Sequence, residues 1–128
     1  MSVKDRLRVM VVDDMSVSRS LITQALEWMG IKNIDFCTDG ASALRKLTAS
    51  PTHLVISDFN MPGADGLTLL EGLRRNASTQ KIGFILITGS PDPKIIERGK
   101  RLGMNNFITK PFSPDSLKAC IERVVGRL

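Results

Sequence analysis

Residues 8–14 read Arg8-Val9-Met10-Val11-Val12-Asp13-Asp14, four apolar residues in a row, three of them β-branched, closed by two acids. A strand with one wet face alternates apolar and polar side chains. An unbroken apolar run of this length instead predicts a strand covered on both faces, as in a parallel sheet between helices. The same design returns in Leu54-Val55-Ile56-Ser57-Asp58 and in Phe84-Ile85-Leu86-Ile87-Thr88. Segments of helical period separate such runs, and five alternations of strand and helix predict an α/β chain with one parallel sheet. The predicted strands are 8–12, 33–37, 53–57, 83–87 and 105–108.

Strands one, three and four are continuously apolar and belong in the middle of the sheet. Strands two and five mix Asn and Asp with apolar residues and suit its edges, which gives the spatial order 2-1-3-4-5. That order places a topological switch between strands one and three, where a ligand crevice opens at the carboxyl ends. Five helices connect and cover the strands, their starts marked by capping residues. The first is expected to use Ser16 as N-cap and to place Val17, Leu21, Ala25 and Trp28 on one stripe before Gly30 stops it. Asp39 caps the second, and Asp65 the third, which runs through Leu67, Leu70 and Leu73. Asp92-Pro93 and Ser113-Pro114 each read as N-cap followed by a proline at the first helical position. The last helix carries Leu117, Cys120, Ile121, Val124, Val125 and Leu128 at the spacing of one apolar face.

Composition narrows the function classes. The 128 residues, 42% hydrophobic and 24% charged, suit a single domain spanning 1–128 rather than a disordered or fibrous chain. The apolar runs are too short for a membrane span, and the N-terminus lacks a signal core, so a cytoplasmic protein without membrane insertion is expected. A formal charge of +5 invites a nucleic-acid reading, but the basic residues are scattered, aromatics are few and no nucleic-acid-binding motif stands in the sequence. Cys37 and Cys120 lie too far apart for a zinc or redox motif and are expected as buried thiols. His53 is expected to be structural or solvated.

Chemistry concentrates at the predicted carboxyl ends: Asp13 and Asp14 after strand one, Asp58 after strand three, Thr88 after strand four and Lys110 after strand five. Each alone reads as an ordinary cap, strand end or solvated cation; together, on one rim, they form a constellation. Three neighbouring carboxylates repel unless a cation lies between them, and an all-oxygen site suits Mg²⁺, which readily shares its coordination sphere with phosphate oxygens. A carboxylate nucleophile, a metal and a Lys are a sufficient kit for phosphoryl transfer.

These residues are similar to the receiver domain of two-component response regulators, most closely the single-domain chemotaxis type. Val11-Val12-Asp13-Asp14, Ser57-Asp58-Phe59-Asn60-Met61-Pro62 with Asp65-Gly66, Ile87-Thr88-Gly89 and Phe107-Ile108-Thr109-Lys110-Pro111-Phe112 occur in the family's order and spacing, across essentially the whole chain. The resemblance implies a flavodoxin-like fold. It implies that Asp58 accepts phosphate from a histidine kinase's phosphohistidine, that Asp14, Asp58 and the Asn60 carbonyl bind Mg²⁺ directly, and that Asp13 acts largely through water. Lys110 would pair with the phosphoryl oxygens and Thr88 would hydrogen-bond one of them. Phe107 would move inward as Thr88 shifts, and a cis Lys110-Pro111 peptide would aim the Lys into the site. Phe107 stands where enteric chemotaxis regulators have Tyr, Phe59 where they have Trp, and Ser90 in place of a longer side chain that governs attacking water.

The resemblance further implies a regulator, not an enzyme beyond its own phosphorylation and dephosphorylation. Because the chain ends just after its fifth helix, output through protein contacts is expected: a monomer phosphorylated by a chemotaxis histidine kinase that binds a flagellar motor switch protein or a phosphatase. The alternative is a phosphate sink or relay intermediate without motor output. A receiver used only for dimerisation is disfavoured because no acceptor-site residue is missing. A small-molecule phosphatase of the aspartate-nucleophile class is disfavoured because it needs a second acid where Asn60 stands. Val17, Ser18 and Leu21 on the first helix are expected to face the kinase, and helices four and five the output partner. Lys94, Arg98, Lys100 and Arg101 on the fourth helix form either a solvated face or a patch for an acidic partner.

Overall fold

The computed structural model describes residues 3–128. Its elements are α1 (Val3–Arg6), β1 (Arg8–Val12), α2 (Ser16–Trp28), β2 (Asn33–Cys37), α3 (Gly40–Ala49), β3 (Leu54–Asp58), α4 (Gly66–Arg75), β4 (Gly83–Thr88), α5 (Pro93–Arg101), β5 (Asn106–Thr109) and α6 (Pro114–Val125). All neighbouring strands pair in parallel, in the order β2-β1-β3-β4-β5 expected from their composition. Among the described residues no helix is long and apolar enough to cross a membrane.

Period-2 alternation divides the apolar strands between two cores. Val9, Val11, Leu54, Ile56, Ile85 and Ile87 point to one face, where they meet Ile22 and Leu26 of α2 and Leu117 and Ile121 of α6. Met10, Val12, Val55, Phe84 and Leu86 point to the other, against Ala43 and Leu47 of α3 and Leu67, Leu70 and Leu73 of α4. An unbroken apolar strand is thus the sequence signature of a strand that feeds both cores.

The structure moves several expected boundaries by one residue. β3 runs Leu54–Asp58 rather than 53–57, β4 extends to Thr88 and β5 is Asn106–Thr109 rather than 105–108. Asp58 and Thr88 are therefore the last residues of strands, held by the ladder instead of by loops. A sixth helix, α1, precedes the sheet; the Leu7 N–H closes onto the Val3 carbonyl at 2.9 Å, and Leu7 is buried in the α2–α6 core.

The largest correction concerns the first connecting helix, α2. Its N-cap is Met15, without a side-chain cap bond, and not Ser16. The Met15 N–H is taken by Asp13 Oδ1 at 2.9 Å, which builds the turn into the helix one residue earlier. The buried stripe is Ile22, Ala25 and Leu26, continued by Met29. Val17, Leu21 and Trp28 are 71%, 58% and 62% exposed. The helix carries two adjacent apolar stripes sharing Ala25, and periodicity alone cannot choose between them. The compact aliphatic stripe takes the sheet, leaving the stripe with Trp28 outside. Gly30, at φ +92°, ends the segment in a backbone region that disfavours other residues.

The other caps stand as expected. Asp39, Asp65, Asp92 and Ser113 accept from the N–H groups of Ser42, Thr68, Lys94 and Ser116. Asp65 also holds Arg98 of α5 at 3.0 Å, which removes Arg98 from the free basic patch expected on that helix. Burial pushes the Asp65 carboxyl up, but the Thr68 N–H and Arg98 outweigh it and leave the group below its usual range. Its stabilising contribution is therefore complete above about pH 4 to 5 and disappears as the pH falls towards the lowered folded value. Asp65→Ala should cost about 1–2 kcal/mol at pH 7 in urea unfolding, and the gap to wild type should narrow at acid pH. Gly66 is constrained by space: a Cβ there would lie 2.5 Å from the Asp58 carbonyl oxygen. Gly66→Ala should cost about 1–3 kcal/mol, measured by the same unfolding curve.

Candidate functional site

The crevice at the carboxyl ends of the strands gathers the residues expected from the sequence. Asp13 follows β1, Asp58 closes β3, Thr88 closes β4 and Lys110 follows β5. Parallel pairing puts these ends on one rim, and the order β2-β1-β3 makes the crossovers from β1 and β3 leave on opposite faces, opening a gap between them. One carboxylate oxygen from each of Asp13, Asp14 and Asp58 falls within 4.8 Å of the others. Asp13 and Asp58 are buried and Asp14 is half-buried.

Opposite them Lys110 Nζ lies 2.7 Å from Asp58 Oδ1. Burial raises the Asp58 carboxyl above its ordinary range; Lys110 pulls against this, while Asp13 and Asp14 add to it. One ammonium thus faces three acids. Asp13 Oδ2 and Asp14 Oδ1 are buried without any hydrogen-bond partner among the described residues. Unpaired buried carboxylate oxygens are costly, and two of them converging with a third acid form a donor set that fits a hard divalent cation such as Mg²⁺. Asn60, two residues past Asp58, is exposed at the start of the following loop. That loop leaves the sheet in a defined direction, because the Phe59 N–H bonds the Ile87 carbonyl and the Gly66 N–H returns to the Phe59 carbonyl, each at 2.9 Å.

Thr88 is buried, and its hydroxyl is turned to its own loop, donating to the Ser90 carbonyl at 3.1 Å and accepting from the Ser90 N–H at 3.2 Å. The Lys110 N–H bonds the Thr88 carbonyl at 2.9 Å, joining the two strand ends. Phe107 is half-buried against the α3–α4 core. The Lys110-Pro111 peptide is cis. Gly89 and Ser90 are exposed, and nothing lies within 4 Å of where a Gly89 Cβ would stand, so the mouth of the site is open.

Val17 and Leu21 are exposed, as a kinase-facing place requires, but the groove they help to line and the reach of Arg19 escaped the sequence reading. The exposed stripe of α2 lines a groove of about 740 Å³ together with Lys110, Pro111 and Phe112. Arg19 reaches back from α2 to the Asp13 carbonyl at 3.0 Å; nothing in the spacing marks it, since the contact depends on where a long side chain folds. The bland readings elsewhere agree with the structure. Cys37 and Cys120 are buried free thiols, and burial pushes the Cys120 thiol up to about 11, leaving it inert at neutral pH. His53 is exposed, its Nδ1 accepting from the Arg8 N–H at 3.0 Å.

Comparison with known proteins agrees with this geometry. The family profile of the response regulator receiver domain matches residues 9–122. A probable chemotaxis protein CheY of Rhizobium etli is 42% identical over 128 residues, covering 100% of this chain and 99% of that protein. Chemotaxis protein CheY-3 of Vibrio cholerae is 30% identical, covering 95% of this chain and 94% of the relative. Among solved structures, Vibrio cholerae CheY4 superposes with a TM-score of 0.86 at 27% identity, over 92% of this chain and 98% of its own. The receiver domain of a Pseudomonas aeruginosa sensor histidine kinase, described with a magnesium ion coordinated in its active-site cleft, shares the fold with a TM-score of 0.85 at 22% identity, over 94% and 98% of the two chains. With the profile spanning nearly all of the sheet and a full-length relative at this identity, the chain belongs to the response regulator receiver domains, in their CheY-type branch.

Proposed function

We propose that Asp58 takes a phosphoryl group from the phosphohistidine of a chemotaxis histidine kinase, in a Mg²⁺-dependent step, and that the phosphorylated protein signals by binding a flagellar motor switch component. The observation that carries the reading is the meeting of Asp58, paired at 2.7 Å with Lys110, and two buried carboxylate oxygens that have no partner. A carboxylate oxygen of Asp58 attacks the phosphorus, the P–N bond breaks, and the electron pair leaves with the donor imidazole. Lys110 neutralises phosphoryl oxygens as the acyl phosphate forms, which requires that it loosen its pair with Asp58. Asp13, Asp14, Asp58 and the Asn60 carbonyl would hold Mg²⁺, whose chemistry is to neutralise charge on the transferring group.

Docking and output use different faces. The groove beside Lys110, lined by Met15, Val17, Leu21, Trp28 and Phe112, is apolar, exposed and opens next to Asp58, which suits the helix that presents a phosphohistidine. On the output side Thr88, Phe107 and α5 are the responsive elements. A phosphoryl oxygen offers the Thr88 hydroxyl a charged acceptor in place of the Ser90 carbonyl, and inward rotation of that side chain opens room for the Phe107 ring. This couples a local charge event to the surface formed by α5, β5 and α6. Phe107 has no hydroxyl, so the switch works by ring burial alone.

Radiolabelled phosphotransfer from the purified chemotaxis kinase should label wild type rapidly with Mg²⁺ and fail with EDTA or with Asp58→Asn; label that survives EDTA would overturn the metal dependence. The phosphorylated form should gain affinity for motor switch protein in a pull-down. Transfer without that gain would make the protein a phosphate sink. Leu21→Asp should slow transfer from the kinase about tenfold or more, the scale of losing an apolar anchor at an interface, while phosphorylation by acetyl phosphate stays within about twofold of wild type.

A further inference from the structure

Asp13 is held at every backbone and side-chain position but one. Its N–H donates to the Cys37 carbonyl of β2 at 3.1 Å, and its Oδ1 accepts from the Met15 N–H at 2.9 Å. Its carbonyl accepts from Arg19 Nη1 at 3.0 Å. Only Oδ2, buried and without a partner, is left over. Of the three tethers, two are backbone amides and one is a side chain.

That side chain is itself fixed. The Arg19 guanidinium carbon sits 4.5 Å from the centroid of the Phe36 ring, within the range of a cation–π contact. Phe36 lies on the edge strand β2, is 51% exposed, and leaves the stack as the clearest use of its ring. The guanidinium forms no ion pair with Asp13, Asp14 or Asp58 among the described residues. Its bond goes to the Asp13 main chain, so it sets the direction of that residue rather than neutralising its carboxylate.

We propose that Arg19, clamped on Phe36, is a positioning residue that aims Asp13 Oδ2 at the divalent cation. The inference rests on reading the acid cluster as a Mg²⁺ site. Partners one step behind the ligands commonly govern metal affinity, with losses of about 10- to 100-fold when they are removed. Charge and position give opposite signs here: removing a cation near the cluster would by itself tighten Mg²⁺ binding, whereas releasing Asp13 weakens it.

The test is a Mg²⁺ titration of wild type, Arg19→Gln, Arg19→Lys and Phe36→Leu, followed by amide chemical shifts at constant ionic strength. Both Arg19 variants should raise the Mg²⁺ dissociation constant about tenfold and Phe36→Leu several-fold. Arg19→Lys combined with Phe36→Leu should be no worse than Arg19→Lys alone, because the ring acts through the guanidinium. In acetyl phosphate reactions the half-saturating Mg²⁺ concentration should rise while the rate at saturating Mg²⁺ stays within about twofold of wild type. Tighter binding by Arg19→Gln, or an unchanged constant for either Arg19→Lys or Phe36→Leu, would overturn the proposal. A wild type that binds no Mg²⁺ would instead remove the metal site on which it rests.

Discussion

Crowding of three carboxylates against one ammonium at the edge of a sheet is the constraint around which the rest of the structure is arranged. Asp13, Asp14 and Asp58 share one pocket, and among the described residues Lys110 is the one cation paired with them, through Asp58. Such a cluster persists only where the surrounding fold over-determines it. Here the determination comes from three parallel strand ends, the bond from Asp13 to β2, the return of Gly66 to Phe59 and the bond joining Lys110 to Thr88. The site is thus a product of the sheet's ladder more than of its loops.

The double core explains how a small chain supplies that rigidity. β1, β3 and β4 place alternate side chains in two separate apolar layers, so none of them can shift without disturbing both. The parts that respond to phosphorylation under the proposed function lie outside this double grip. β5 is an edge strand with every residue half-buried, and α5 buries only Gly99. The Asp65–Arg98 pair links the loop after Asp58 directly to α5, and Asn105 with Arg74 ties the start of β5 to α4 and β4. The firmly held acid cluster and the loosely held β5 and α5 therefore sit on neighbouring elements, joined by a few polar contacts.

The α2 face shows how chemistry and recognition share one helix. Its inner stripe completes the core, Arg19 holds the Asp13 carbonyl, and its outer stripe makes the groove beside Lys110. A contiguous apolar surface beside the acid cluster is the kind of feature that marks a contact site, and the proposed function uses it to seat the phosphodonor.

Much of this was legible in the chain alone. Unbroken apolar runs reported buried parallel strands, Asp39, Asp65, Asp92 and Ser113 announced their helices, and polar residues after strands announced the rim, because each signal depends on neighbours within one turn or one pleat. Boundaries at Asp58 and Thr88 were off by one residue, since a strand's last ladder bond is set by its partner. The choice between the two stripes of α2, the capture of Arg98 by Asp65 and the reach of Arg19 to Asp13 were decided only by tertiary structure. Periodicity states that a helix has an apolar face; which of two faces is buried, and where a long charged side chain finds its acceptor, depends on surfaces that adjoin only when distant segments pack together.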